Sequence, residues 1–214
     1  MNATVKVDHV SKSFGTFQAL DDVCLEAAQG EITGLVGNNG SGKTVLLKCI
    51  VGLMYATSGQ ITVFDKVIGK DADFAPDTGF IIEHPGFLPS MNAFQNLKYL
   101  AKLSGRASDD DIRTAIERVG LDSKSRKGVG KYSLGMKQRL GIAQAIMEKP
   151  KLLIFDEPMN GLDSGGMEDM RALFHSMADE GKTIIIASHN RDDISFLCHK
   201  VYQMSAGHLT LLEG

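Results

Sequence analysis

G-N-N-G-S-G-K-T, residues 37–44, fits the pattern G-x-x-x-x-G-K-[ST]. Ile32, Leu35 and Val36 form a short apolar run before this stretch, as expected for a buried strand. A largely apolar segment over residues 45–53 follows it, as expected for a helix with an inward-facing side. The stretch therefore predicts a strand, a glycine-rich loop and a helix in succession.

The residue types in this loop suit the binding of phosphate groups. Glycines let backbone N–H groups approach phosphate oxygens where a Cβ would interfere. The helix that begins after Gly42 adds the positive end of its dipole. Lys43 supplies a charge for the outer phosphates, and the Thr44 hydroxyl is a suitable magnesium ligand. A glycine-rich turn arising by chance is the alternative, but the flanking strand and helix favour a nucleotide site.

The composition limits the class of protein. The 214 residues suffice for one large domain or two small lobes. A net charge of −3 does not support nucleic acid as the main partner. The three cysteines form no C-x-x-C pair and no even disulfide set, which favours reduced thiols in a cytosolic protein. We expect neither a signal peptide nor a membrane span, because no apolar run reaches about 18 residues.

The order of apolar segments predicts an α/β fold. Alternating apolar and polar residues near the N-terminus, from Val5 to Val10, indicate half-exposed strands of an antiparallel sheet. Apolar runs at 80–82, 152–155 and 183–187 predict strands buried in a mostly parallel sheet with helices on both sides. Helical spacing dominates between the first two runs. We therefore expect a single domain, 1–214, with a nucleotide-binding lobe of residues 1–84 and 150–214 and an inserted helical subdomain of residues 85–149.

Polar residues stand where these buried strands end, which is where parallel sheets bind ligands. Asp156 is placed to hold magnesium, and Glu157 directly after it is placed to polarise water at the terminal phosphate. His189 follows the last buried run and would contact the same phosphate, and Glu83 ends the run at 80–82. A solvated turn and a surface histidine are the alternatives for the acidic pair and for His189.

Two further features leave their interpretation open. Residues 132–139, Y-S-L-G-M-K-Q-R, stand at the start of a predicted helix in a basic stretch without acids from 123 to 147. They suit either an anion at the helix N-terminus or a capped helix with a solvated basic face. Phe14, in a turn-rich segment, suits either a loop aromatic that covers the core edge or a platform for a purine ring.

Taken together these residues resemble the nucleotide-binding subunit of ATP-binding-cassette (ABC) transporters over essentially the whole chain. The matching segments are Walker A at 37–44, the Q-loop at 83, the signature at 132–136, Walker B with its glutamate at 152–157, the D-loop at 160–163 and the switch histidine His189. The resemblance implies a P-loop NTPase (RecA-like) core that uses ATP and Mg²⁺. It implies catalysis by Glu157, His189 and Lys43 and metal ligation by Thr44, Glu83 and Asp156. The residues it implies in ATP binding are Phe14, Gly37, Asn38, Asn39, Gly40, Ser41, Gly42, Lys43, Thr44, Val45, Ser133, Gly135 and Asp163.

The resemblance also implies partners that spacing does not reveal. Two such subunits, identical or different, pair head to tail, and each ATP lies between one phosphate loop and the signature of the other subunit. The opening and closing of the dimer move separately encoded permease subunits. The chain is then expected in the cytoplasm, peripherally attached to the inner face of the cell membrane, and without a nucleic-acid partner.

Two positions depart from the pattern of the family. The signature reads Y-S-L-G-M and keeps only its Ser133 and second glycine, Gly135. Glu83 stands where most of the family has glutamine, and a carboxylate there still ligates magnesium but adds a full charge. With this glutamate the chain resembles the subgroup that serves lantibiotic immunity and bacitracin-type resistance. A general ABC ATPase with a tolerated substitution is the alternative.

The resulting hypothesis is an ATP-hydrolysing subunit that powers a membrane exporter, with antimicrobial peptides as its cargo. A soluble ABC ATPase that acts on nucleic acid or ribosomes is the first alternative. Such proteins usually carry two cassettes or a long coiled coil, and the sequence has neither. A phosphate-loop kinase is the second, but it would not require the segments at 133–135 and 160–163.

Overall fold

Two β-sheets organise the chain in the computed structural model, which describes residues 3–83 and 85–213. The strands are β1 (Ala3–Phe14), β2 (Phe17–Ala28), β3 (Ile32–Val36), β4 (Ser58–Val63), β5 (Lys66–Val67), β6 (Thr78–Ile81), β7 (Leu152–Asp156), β8 (Thr183–Ser188), β9 (Lys200–Ser205) and β10 (His208–Glu213). The helices are α1 (Lys43–Val51), α2 (Ala93–Ser104), α3 (Asp109–Arg118), α4 (Leu134–Ile146), α5 (Ser164–Asp179) and α6 (Arg191–Ser195).

The larger sheet has the strand order β10-β9-β3-β8-β7-β6. Its strands pair in parallel except β10, which is antiparallel to β9. The central strands β3 and β8 are buried along their whole length, which explains why their sequences are apolar runs rather than alternating patterns. The predicted mostly parallel sheet is therefore confirmed.

Strand β6 departs from its prediction. The sequence predicts a buried strand over residues 80–82, but the strand ends at Ile81, and the Phe80 side chain is 37% exposed. The Phe80 side chain is partly exposed because β6 is an edge strand of the sheet and, among the described residues, pairs only with β7. An apolar run does not distinguish an edge strand from a central one.

The smaller sheet has the order β2-β1-β4-β5 and is antiparallel. Val5 and Val7 are buried while Lys6 and Asp8 between them are exposed, as the alternation predicts. The buried face packs with α1 and one face of the larger sheet in a common apolar cluster. This packing places the β1–β2 hairpin next to the phosphate loop.

Residues 85–149 supply three of the helices, and side-chain caps define where each begins. Asn92 and Gln95 form a capping box at α2, and Ser108 and Asp111 form another at α3. Ser133 caps α4. Apolar side chains of α2, α3 and α4 join the second face of the larger sheet in one cluster that also contains α5.

We expect Phe174→Ala to lower the free energy of unfolding by about 3–5 kcal/mol. Phe174 is fully buried on α5, and its ring centroid lies 4.9 Å from that of Phe155 on β7. Leu103→Ala is the control, because Leu103 is 75% exposed and should change stability by no more than about 0.5 kcal/mol. Urea unfolding followed by circular dichroism measures both, and equal losses would contradict the assignment of this core.

Candidate nucleotide site

The phosphate loop joins the end of β3 to the start of α1. Gly42 has φ +115°, and a Cβ built on it would lie 2.7 Å from the Ala19 carbonyl oxygen. Gly40 also has a positive φ, of +78°, and open space around it. Only glycine satisfies the backbone angle and the close approach at residue 42. The loop geometry therefore depends on the β1–β2 hairpin that carries Ala19.

Lys43 is buried and donates hydrogen bonds to its own loop. Its Nζ atom lies 2.6 Å from the Gly37 carbonyl oxygen and 3.2 Å from that of Asn38. A lysine placed in this way presents its charge inside the loop, where phosphate oxygens would compete with the carbonyls. The role of Lys43 toward the outer phosphates stays a prediction.

Thr44 and Asp156 meet between α1 and the end of β7. The Thr44 hydroxyl donates to Asp156 Oδ2 over 2.6 Å. Burial raises the pKa of Asp156, the bond from Thr44 opposes the rise, and the negative charge of Glu157 adds to it. A hydroxyl and a carboxylate oxygen side by side are donors that Mg²⁺ prefers, and a cation would offset the cost of the buried charge. The residues present thus fit a magnesium ion.

Glu157 and His189 are brought together from β7 and β8. Glu157 Oε1 lies 2.9 Å from both the backbone nitrogen and the Nδ1 atom of His189. Its backbone has φ +53°, a left-handed conformation that is uncommon for a residue with a side chain. Strain of this kind is characteristic of functional sites, where the surrounding structure maintains it.

Ser188 also belongs to this group, although the sequence did not single it out. Its hydroxyl lies 3.2 Å from Glu157 Oε2 and accepts a hydrogen bond from the Asn190 backbone N–H at 3.1 Å. Because the N–H occupies a lone pair, the hydroxyl proton is directed to the carboxylate. The only sequence signal for this role is the position of Ser188 at the end of a buried strand, beside His189.

A cavity of about 450 Å³ extends from the loop to the two acids. Its lining residues are Phe17, Ala19, Asn39, Gly40, Ser41, Gly42, Lys43, Thr44, Val45, Asp156 and Glu157. A second cavity, of about 390 Å³, lies along the loop on its other side and is lined by Gly37, Asn38, His189 and Arg191 among others. The predicted loop residues thus line two adjoining spaces at one end of the sheet.

Phe17 is the aromatic residue that lines the larger cavity, and its side chain is 62% exposed. Phe14, which the sequence favours, pairs with Phe17 across the hairpin and lies with its ring centroid 5.1 Å from Lys12 Nζ. The stacking role of Phe14 stays a prediction. Phe17 was missed because aromatic spacing alone does not indicate which side chain of a hairpin turn faces a neighbouring loop.

Glu83 lies two residues beyond the end of β6 in a left-handed conformation, with φ +63°. Its Oε1 atom lies 2.6 Å from Lys48 Nζ on α1. The structure therefore places an ion pair at the position where the sequence predicts a metal ligand, and the metal role of Glu83 stays a prediction.

The signature residues lie apart from the phosphate loop. Ser133 accepts a hydrogen bond from the Met136 N–H at 3.2 Å, and Asp163 accepts one from the Gly166 N–H at 2.8 Å, so each caps a helix. They line a separate cavity of about 260 Å³ with Gly135, Met136, Arg139, Gly161 and Leu162. A Cβ on Gly135 would lie 2.7 Å from the Gly161 carbonyl oxygen, so glycine is needed there for packing. One chain therefore does not bring Ser133, Gly135 or Asp163 to its own loop.

Across residues 3–83 and 85–213, no helix combines the length and the apolar character needed to cross a membrane.

The family model described as ABC transporter matches residues 20–160. The uncharacterized ABC transporter ATP-binding protein YybJ of Bacillus subtilis is 43% identical over 98% of this chain and 96% of its own length. The bacitracin transport ATP-binding protein BcrA of Bacillus licheniformis is 41% identical over 98% of this chain and 69% of its own. The lantibiotic transport ATP-binding protein SrtF of Streptococcus pyogenes is 37% identical over 90% of this chain and 83% of its own length. The chain belongs to the ABC transporter family, as one of its ATP-binding proteins, and is an ATPase.

Solved cassettes have the same fold. The cbiO1 structure from Clostridium perfringens, part of the ABC transporter complex cbiONQ, superposes with a TM-score of 0.85 at 28% identity, over 99% of this chain and 88% of that one. The dimeric structure of the bacterial ABC transporter cassette MJ0796 superposes with a TM-score of 0.85 at 22% identity, over 98% of this chain and 99% of that one. The predicted family and the predicted P-loop NTPase fold are thus confirmed.

We expect Gly42→Ala to reduce ATP affinity and to lower the free energy of unfolding by about 1–3 kcal/mol, because a Cβ there is strained and meets Ala19. Gly165→Ala is the matched control, since nothing lies within 4 Å of a Cβ at that position. Isothermal titration calorimetry with ATP and thermal unfolding measure both effects. Equal behaviour of the two variants would contradict the close approach at Gly42.

Proposed function

We propose that this ATPase powers a membrane exporter of antimicrobial peptides, with Asp156, Glu157 and His189 acting on a Mg²⁺-bound ATP. The supporting observation is that the Thr44–Asp156 pair and the Glu157–His189 pair adjoin one loop at the end of the parallel sheet. Ligands of such sheets bind at this end.

The phosphate loop binds and orients the triphosphate. Backbone N–H groups and the start of α1 face the phosphate oxygens, and Lys43 exchanges its loop carbonyls for the outer phosphates. Thr44 and Asp156 would hold Mg²⁺, which when bound neutralises charge on the phosphate oxygens. Phe17 offers an exposed ring at the mouth of the same cavity, next to Ala19.

Glu157 acts as the general base on the attacking water. The Ser188 hydroxyl and the backbone N–H of His189 orient its carboxylate. The His189 imidazole is therefore not needed to hold Glu157, and it can give up this hydrogen bond and contact the terminal phosphate instead. General-base assistance accounts for roughly 10²–10⁴-fold in rate.

A second nucleotide-binding subunit completes each site. Ser133 and Gly135 line a cavity of their own, so they serve a phosphate bound by another copy or by a related chain. The dimeric cassette structure with the same fold supports this arrangement. Residues 85–149 would form the helical unit that carries the signature between the two subunits.

The membrane side of the assembly is provided by separately encoded permease subunits, which places this chain on the inner face of the cell membrane. The relatives named for bacitracin and lantibiotic transport support an antimicrobial peptide as cargo. The net charge of −3 gives no comparable support to a ribosomal or nucleic-acid role.

We expect Glu157→Gln to bind ATP, to accumulate as a dimer and to hydrolyse ATP at least about 10²-fold more slowly, because the amide does not accept the proton of water. Glu168→Gln, an exposed change on α5, is the control and should hydrolyse ATP normally. A phosphate-release assay and size-exclusion chromatography with ATP measure turnover and dimerisation. Normal hydrolysis by Glu157→Gln would show that another group activates water.

Export is tested in cells that carry the intact operon of this chain. We expect the operon to raise resistance to bacitracin or a lantibiotic, and Glu157→Gln in this subunit to remove that resistance. Affinity purification from the same cells should recover a membrane permease. Recovery of ribosomes without a permease would support the soluble alternative instead.

A further inference from the structure

We propose that Lys48 is a positioning residue for Glu83, and that its ammonium group holds the Glu83 carboxylate one helical turn from the metal site until Mg²⁺ competes for it. The inference rests on the proposed function, because it concerns the same metal site. It assigns a role to a lysine that the phosphate-loop pattern does not include, and it applies to a chain with glutamate at residue 83.

The geometry of α1 places Lys48 directly in line with the metal ligands. Lys48 follows Thr44 by four residues, so both side chains lie on the same face of the helix, one turn apart. Thr44 contacts Asp156 at the end of β7 over 2.6 Å, and Lys48 contacts Glu83, which lies just beyond β6, over 2.6 Å. The two ends of these neighbouring strands thus face adjacent positions on one helix.

The ion pair of Lys48 and Glu83 matters because of the negative charges near the metal site. The negative charges of Glu157 and Glu83 both act on the Asp156 carboxylate. The negative charge of Glu83 is among the causes that raise the pKa of Asp156, after burial and the charge of Glu157, so the field of Glu83 reaches the metal ligand. Lys48 supplies a compensating positive charge at this end of the sheet. An uncharged glutamine at residue 83 would require no such compensation.

The pair is also weak enough to exchange. The Lys48 side chain is 25% exposed and that of Glu83 is 64% exposed. Ion pairs with this much solvent contact shift an equilibrium by only about one- to five-fold. Because the Glu83 side chain is largely exposed, we expect it to have room to change its rotamer when a cation competes for it. Binding of Mg²⁺ is a larger electrostatic effect than the pair it replaces.

The test measures cation binding rather than turnover. Mn²⁺ is titrated into the full-length protein with the non-hydrolysable analogue AMP-PNP, and free Mn²⁺ is counted by electron paramagnetic resonance. The variants are Lys48→Gln, Glu83→Gln and the double variant. Lys102→Gln, an exposed lysine of α2, is the control for a lost positive charge.

We expect Lys48→Gln to tighten Mn²⁺ binding about two- to five-fold, because it removes the ion pair with which the cation competes for Glu83. Glu83→Gln should weaken binding, and adding Lys48→Gln to it should change nothing further. Lys102→Gln should behave as the parent protein.

Two outcomes overturn the inference. If Lys48→Gln tightens Mn²⁺ equally in the Glu83→Gln background, Lys48 acts only through its general charge. If Lys48→Gln leaves Mn²⁺ binding unchanged, the pair does not compete with the metal. Failure of the proposed nucleotide site is distinct, because the parent protein would then withdraw no more Mn²⁺ than AMP-PNP does alone.

Discussion

Complete burial of the central strands is the constraint on which the rest of the structure depends. Strands β3 and β8 carry side chains that are inaccessible on both faces of the sheet, and β7 is accessible only at its last residue. Such strands tolerate polar side chains chiefly where they end. The polar groups of the site therefore gather at one end of the sheet. There β7 ends at Asp156, β8 ends at Ser188 and the phosphate loop follows β3.

The sequence was informative wherever a residue type has few alternatives. The glycine-rich loop, the acidic pair at the end of β7 and the histidine after β8 were singled out because each stands where a buried apolar run ends. A helix cap at residues 132–139 was one of two interpretations that the sequence left open, and Ser133 does cap α4. The mostly parallel pairing of the larger sheet followed from the alternation of strands and helices, but the order of its strands did not.

Features that depend on contacts between distant segments were less predictable from the sequence. Phe80 is partly exposed because of its neighbours in the sheet, and no local pattern records which strand lies at an edge. Phe17, rather than Phe14, lines the cavity because of how the hairpin meets the loop. The pair of Lys48 and Glu83 joins residues 35 positions apart that form no motif together. Side-chain pairing between distant segments is not encoded in the periodicity of either segment.

The bonds from Lys43 to its own loop have a consequence for how the site is maintained. Its ammonium group is satisfied by the carbonyls of Gly37 and Asn38, so the protein supplies both the donor and the acceptors that shape the loop. In the proposed function, phosphate oxygens would replace these carbonyls around a nitrogen that is already in place. In the proposed function the loop would then act as a template that needs no refolding before it receives the next nucleotide.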